Sequence, residues 1–194
     1  METSTRSKKE KIEKTATLMF RQKGYAATSM RDLAFELNIE AASLYSHISS
    51  KESILRDICL RMAMLFFKAI EKAEQQAIGD DSEELLKVAI KEHVKVITHD
   101  IAASAVFLNE WRHLSEPYLS EFIDLREQYE KRFMGIVDKG IKNNEFLIED
   151  EKLATQFILS SLNWTHSWYK TTGKLSPEEI GNRLAKYIIH GIKK

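Results

Sequence analysis

With 194 residues, 43% hydrophobic and 30% charged, the chain is long enough to bury one large or two small cores. Its 29 basic and 29 acidic residues cancel, which excludes a uniformly polybasic protein. The single cysteine, Cys59, excludes an intramolecular disulfide framework and suits a reducing cytosol. Cys59 sits in an apolar helical run and is expected to pack as a small hydrophobe.

Charge is unevenly placed. Residues 1–24 hold seven basic side chains (Arg6, Lys8, Lys9, Lys11, Lys14, Arg21, Lys23) against Glu2, Glu10 and Glu13, a local +4 that leaves −4 for the rest. A basic arm on an acidic body is the footprint of a local nucleic-acid contact. No apolar run approaches the roughly 20 residues of a membrane span, and the N-terminus lacks a signal-type apolar core, so a cytoplasmic protein is expected.

Only 7 Gly and 2 Pro interrupt the chain, and no useful strand alternation appears, so an all-α fold of about nine helices is predicted. The first spans 8–23, with Ile12, Ala16, Met19 and Phe20 inward and Gly24 as C-cap. Thr28 or Ser29 caps the second, whose apolar face is Met30, Leu33, Ala34 and Leu37. Asn38 tolerates a left-handed turn, and Ile39 follows as an apolar plug. A third short helix covers 41–47 with Leu44 inward, and Ser49 or Ser50 caps the fourth, about 51–77. Helices 29–37 and 41–47 with a tight turn form a helix-turn-helix pattern. The small Ala41, Ala42 and Ser43 let the backbone enter a major groove. Tyr45, His47 and Lys51 suit phosphate oxygens.

Beyond a linker at Gly79–Ser82, helices are expected at 83–99, 104–114, 117–143, 149–171 and 177–192. Asp81 or Ser82 starts the first of these, and Ser176-Pro177-Glu178-Glu179 starts the last. The penultimate helix carries Leu153, Phe157, Ser160, Ser161, Trp164 and Trp168 on one side. The last carries Ile180, Leu184, Tyr187, Ile188 and Gly191. Phe157, Ser161, Leu184, Tyr187 and Ile188 are therefore candidate dimer contacts, two helices from each subunit about a two-fold axis.

Two segments mix aromatic and polar side chains as a largely apolar ligand site requires: FLNEWRH at 107–113 and NWTHSWY at 163–169. Phe107, Glu110, Trp111, His113, Tyr129, Asn163, Trp164 and Trp168 are the candidate lining residues. Each Trp also fits a plain core or dimer role. Glu110 and His113, at i and i+3, allow a metal alternative completed by His93, His99 or His166, but the six His are scattered and no metal or cofactor is expected. No Gly-rich phosphate loop, nucleophile elbow or HExxH motif is present, so no catalytic residues are assigned.

The helix-turn-helix segment closely resembles the TetR family of bacterial one-component repressors. The resemblance is carried by Gly24, Thr28, Ser29, Arg31, Asp32, Leu33, Ala34, Ile39, Ser43, Leu44, Tyr45, His47, Lys51 and Glu52, and above all by LYSHISSKE. Two positions depart from the pattern: Ile48 stands where Phe is commoner, and Glu40-Ala41 where Ser or Gln and Lys are common. The Glu40 carboxylate disfavours phosphate and is expected to cap or point away. The resemblance implies a DNA-binding domain at 1–52 and a ligand-binding and dimerisation domain at 53–194. It also implies operator contacts from Thr28, Ser29, Arg31, Ala41, Ala42, Ser43, Tyr45, Ser46, His47 and Lys51. A homodimer on palindromic double-stranded operator DNA, released by a small-molecule effector, follows from it. The FLNEWRHL and NWTHSWY…GKLSPEEI segments are also similar to the acyl-CoA-responsive branch of that family, which makes an acyl-CoA thioester a candidate effector. Arg112, Arg126, Lys131 and Arg132 are then candidate partners of CoA phosphates. A helical adaptor or metal-binding helical protein without DNA binding is the alternative class.

Overall fold

The computed structural model describes residues 2–77 and 81–194, with side chains from residue 8 onward. The protein is all-α. In chain order the helices are α1 (Glu2–Lys23), α2 (Met30–Glu36), α3 (Ala41–Tyr45), α4 (Lys51–Gln76), α5 (Ser82–His99), α6 (Ile101–Asn109), α7 (Tyr118–Lys142), α8 (Glu151–Asn163), α9 (Thr165–Trp168) and α10 (Pro177–Ile192). A 3-10 turn, Trp111–His113, follows α6. No helix among the described residues is long and apolar enough to cross a membrane.

Local signals explain the ends. Gly24 stops α1 with φ +85°, a left-handed conformation that favours glycine, and its N–H reaches the Phe20 carbonyl oxygen at 2.9 Å. Asn38 (φ 54°) makes the left-handed turn expected of it, and Asn144 (φ 60°) takes the same conformation after α7. Asp81 caps α5 by accepting from the Glu84 N–H at 2.9 Å. Gly79 and Asp80 of the expected linker lie outside the described residues. Ser176 and Glu179 form a reciprocal capping box at the start of α10, where Pro177 fits the first turn. The helix expected over 149–171 is instead divided at Trp164 into α8 and α9. The helix expected over 104–114 is α6 closed by the 3-10 turn.

The chain forms two compact units. The first holds residues 1–62 and 102–123, the second residues 63–101 and 124–194, a division that does not coincide with the boundary expected at residue 52. In the first unit Ile12, Ala16, Phe20, Leu33, Leu44, Ile54 and Ile58 are buried, the inward faces that the 3.6-residue period marks on α1, α2, α3 and α4. Phe107 and Phe122 join this unit edge to face, with ring centres 5.2 Å apart.

In the second unit, Ile70, Leu86, Ile90, Val94, Phe133, Val137, Ile158, Ile180 and Ile189 belong to one apolar cluster. Helix α10 packs along α5, and the contact is close at Gly181: a Cβ there would stand 3.2 Å from the Lys91 Cα. Ile180 and Ile188 face this core, which corrects the expectation that Ile188 is a dimer contact.

Candidate functional site

Two places hold the residues singled out from the sequence. The first is the α2–turn–α3 segment. Ser29 and Asp32 form a capping box: the Asp32 N–H donates to Ser29 Oγ at 3.1 Å, and the Ser29 N–H to Asp32 Oδ2 at 2.9 Å. Hydrogen bonds from Ser29 hold the Asp32 carboxyl below its usual range. Leu44 is fully buried and fixes the rotation of α3. With Leu44 inside, Ala42, Ser43, Tyr45 and Ser46 face solvent, Ala41 and His47 are half-exposed, and Arg31 is exposed on α2. Ser46 turns its hydroxyl back to the Ser43 carbonyl oxygen at 2.7 Å. Exposed small side chains beside a tyrosine and a half-exposed imidazole leave α3 able to approach a groove closely.

Three details differ from the sequence reading, and a fourth, at Glu40, narrows it. Thr28 is buried and its hydroxyl donates to the Gly24 carbonyl oxygen at 2.9 Å, so it serves the turn and offers no donor to a duplex. The Lys51 ammonium donates to the carbonyl oxygens of Tyr25 and Thr28, at 2.9 and 2.8 Å, and lies 4.2 Å from the centre of the Tyr25 ring. Two of its three donors are thereby engaged inside the fold. Ile39, expected as a plug, is 37% exposed, and Leu37, Leu44 and Ile48 fill the small core instead. Glu40 takes the N-cap position of α3 but makes no side-chain cap hydrogen bond and is exposed.

The FLNEWRH residues belong to this same unit. Glu110 Oε2 accepts from the Tyr25 N–H at 3.3 Å, and the His113 ring stacks on Tyr25 at 5.1 Å. Trp111 packs on Phe122 at 5.6 Å, and the Arg112 guanidinium stands over the Trp111 ring, 4.4 Å from its centre. Phe107, Glu110, Trp111 and His113 are thus placed in the first unit, whereas Tyr129, Asn163, Trp164 and Trp168 are in the second. The eight candidate lining residues do not share one unit.

The second place is the interior of the second unit. His93 is buried there between two partners: Tyr129 Oη lies 2.9 Å from Nδ1, and Asn163 Oδ1 lies 3.1 Å from Nε2. An amide oxygen only accepts, so Nε2 carries the proton and Nδ1 accepts from the tyrosine hydroxyl. Burial pushes the His93 pKa down to about 4, against a smaller opposing effect from Asn163. Burial likewise raises the Tyr129 phenol. Phe66 (4.7 Å from the His93 ring centre), Phe67 and Phe133 complete an aromatic shell round the pair. His93 was considered only as a metal ligand in the sequence. The available signal was an imidazole set among the buried apolar residues Leu86, Ile90, Val94 and Ile97. The metal set is not gathered: Glu110 and His113 are in the first unit, while both His93 nitrogens are engaged and His166 Nδ1 faces the Asn163 carbonyl oxygen at 2.6 Å.

Trp164 and Trp168 do not face that interior. With Leu153 and Phe157 they form an exposed stripe; Phe157 is 62% and Trp164 63% exposed, and Tyr187 of α10 is exposed too. Leu184 and Ser161 are half-exposed, and the Ser161 hydroxyl donates to the Phe157 carbonyl oxygen at 2.8 Å. Among the expected phosphate partners, Arg132 is held by Glu71 and Glu74.

Known proteins share this architecture. Residues 12–58 match the model of bacterial regulatory proteins of the tetR family, and residues 79–192 match the tetracyclin repressor-like C-terminal domain. The HTH-type transcriptional repressor KstR2 of Rhodococcus jostii is 29% identical over 91% of this chain and 87% of its own. The crystal structure of the TetR family transcriptional regulator PfmR from Thermus thermophilus is 31% identical, with TM-score 0.82 over 94% of this chain and 99% of that one. The ketosteroid transcriptional regulator KstR2 of Mycobacterium tuberculosis has the same fold, with TM-score 0.89 at 24% identity over 96% and 95% of the two chains. TetR regulators bind operator DNA and small-molecule effectors and act as dimers. The chain belongs to the TetR family and is a TetR-type transcriptional repressor.

Proposed function

We propose that this repressor reads a palindromic operator in the cytoplasm through α2 and α3. The observation that carries the reading is the outward face of α3: Ala42, Ser43 and Tyr45 are exposed while Leu44 locks the helix from behind. Small residues allow close backbone approach to base edges, and Arg31, Tyr45 and His47 offer donors to phosphates. A dimer supports the reading, since a duplex presents half-sites about 34–36 Å apart. The exposed stripe Leu153, Phe157, Trp164 and Trp168 on α8 and α9, with Tyr187 on α10, is the face that a second copy would bury.

The effector reading is that an acyl-CoA thioester binds with its apolar acyl chain beside the aromatic shell of His93, Tyr129 and Asn163. Three polar groups inside aromatic walls are what orients a mostly apolar ligand. Effector binding must favour the conformation that does not fit the operator, because only differential affinity shifts the population.

The test is binding of the purified protein to DNA upstream of its own gene, with and without a panel of acyl-CoA thioesters. Specific binding released by one thioester supports the whole reading. Specific binding indifferent to every thioester keeps the operator reader and removes the acyl-CoA effector.

A further inference from the structure

Between α4 and α5 the second unit carries a cleft of about 310 Å³ that is unrelated to the aromatic shell round His93. Its size is at the lower end of small-molecule sites. The two helices line it with the same spacing, i, i+3, i+4, i+7: Leu65, Lys68, Ala69 and Lys72 on α4, and Glu92, Lys95, Val96 and His99 on α5. Leu65, Ala69 and Val96 give it an apolar floor, while Lys68, Lys72 and Lys95 stand round the rim with one carboxylate, Glu92.

The carboxylate is fully occupied. Glu92 is buried, its Oε2 accepting from Lys72 at 2.8 Å and its Oε1 from Lys95 at 2.6 Å. Burial alone raises the Glu92 pKa, and the two ammonium groups outweigh it and leave it lowered. Three ammonium groups therefore line the cleft with one carboxylate, an excess of two positive charges. Each ammonium has three N–H donors, and Lys72 and Lys95 use one apiece on Glu92. Lys68 makes no ion pair among the described residues. Unused donors at the rim of an apolar cleft match a ligand with an acid head and an apolar chain.

We propose that this cleft binds an anionic amphiphile, its acid group held by Lys68, Lys72 and Lys95 and its chain laid on Leu65, Ala69 and Val96. The site is separate from the proposed effector site and does not rest on the effector reading. A carboxylate head and a phosphate head share this chemistry, and the experiment separates them.

The experiment is calorimetric titration of the full chain with decanoate, with decyl phosphate and with decanol as the neutral control. At least one acid binds, decanol does not bind comparably, and the affinity falls with added salt. The acid that binds more tightly identifies the head group. The double variant Lys68→Gln/Lys95→Gln keeps the Lys72–Glu92 pair and weakens the acid at least about tenfold. The single Lys68→Gln removes an exposed, unpaired group, leaves thermal stability unchanged, and weakens binding in the same direction. Tyr129→Phe leaves the titration unchanged. Failure of both acids to bind at millimolar concentration, equal binding of decanol, or wild-type affinity in the lysine variants would overturn the proposal. So would an acid affinity that depends on Tyr129 and not on the lysines, because the ligand would then occupy the aromatic site.

Discussion

Lys51 and Tyr25 are joined twice: the Lys51 ammonium donates to the Tyr25 carbonyl oxygen at 2.9 Å and stands 4.2 Å from the centre of the Tyr25 ring. A third link, to the Thr28 carbonyl oxygen at 2.8 Å, ties the start of α4 to the chain between α1 and α2. In the sequence Lys51 suits a phosphate contact. In the fold it donates to two carbonyl oxygens of the turn after α1, one of which, that of Tyr25, also accepts from the Thr28 N–H at 3.2 Å.

Replacing Lys51 with Met is therefore expected to act on folding. Losing hydrogen bonds from a charged donor destabilises the protein by about 1.5–3 kcal/mol, read from urea unfolding. The salt slope of DNA binding by the folded variant stays that of the parent. Arg31→Ala, on an exposed side chain, lowers the slope by about 2, one phosphate contact from each subunit of the dimer, with little loss of stability. A reduced slope in Lys51→Met would show that its remaining N–H reaches a phosphate.

His93 makes stability depend on pH. Its ordinary value is 6.5 and burial lowers it to about 4 in the fold, so the unfolded chain takes up the proton first as pH falls. The contribution is whole above 6.5 and is lost as pH drops from 6.5 toward 4, in all about 3 kcal/mol. Urea midpoints measured across that window should fall more steeply in the parent than in His93→Gln. Parallel curves would mean that His93 takes up its proton in the fold as readily as in the unfolded chain.

Tyr129→Phe removes the hydroxyl that donates to His93 Nδ1 and leaves a buried acceptor unpaired, at about 1–3 kcal/mol. If the effector binds beside this group, the variant also shifts the effector concentration needed for release by at least about tenfold, with operator affinity nearly unchanged. Equal loss of both would reduce Tyr129 to a core residue.

Phe157→Glu places a carboxylate in the exposed stripe of α8 without touching the buried core. Sedimentation is expected to show a monomer with unchanged helicity and operator affinity lowered by more than about tenfold, because the two half-sites are no longer bound together. A dimer that survives this substitution places the interface elsewhere.

Much of the fold was legible because helices announce themselves locally. Apolar spacing marked Ile12, Ala16 and Phe20 on α1, and capping chemistry marked Ser29, Asp81 and Ser176. Gly24 and Asn38 marked positive-φ turns in the same way. What stayed hidden depends on which face another helix covers. Ile188 and Tyr187 are neighbours on α10, yet one is core against α5 and the other is exposed, and no periodicity ranks them. Trp164 and Trp168 share the aromatic chemistry of a pocket wall and stand outside. Thr28 and Lys51 carry the right donors for DNA, but the Gly24 carbonyl oxygen four residues back claims the first and carbonyl oxygens distant in sequence claim the second. His93 was hidden for the same reason: both partners, Tyr129 and Asn163, come from other helices.

The most direct test of the central claim is selection of binding sites by the full chain from a random duplex pool, run beside Ala42→Glu and Tyr45→Ala. The parent is expected to enrich a palindrome whose half-sites lie about one helical turn, or a multiple of it, apart, and both variants to lose it while their circular dichroism stays that of the parent. Failure to enrich any sequence, or enrichment of the same sequence by the parent and both variants, would contradict the assignment of α3 as the operator reader.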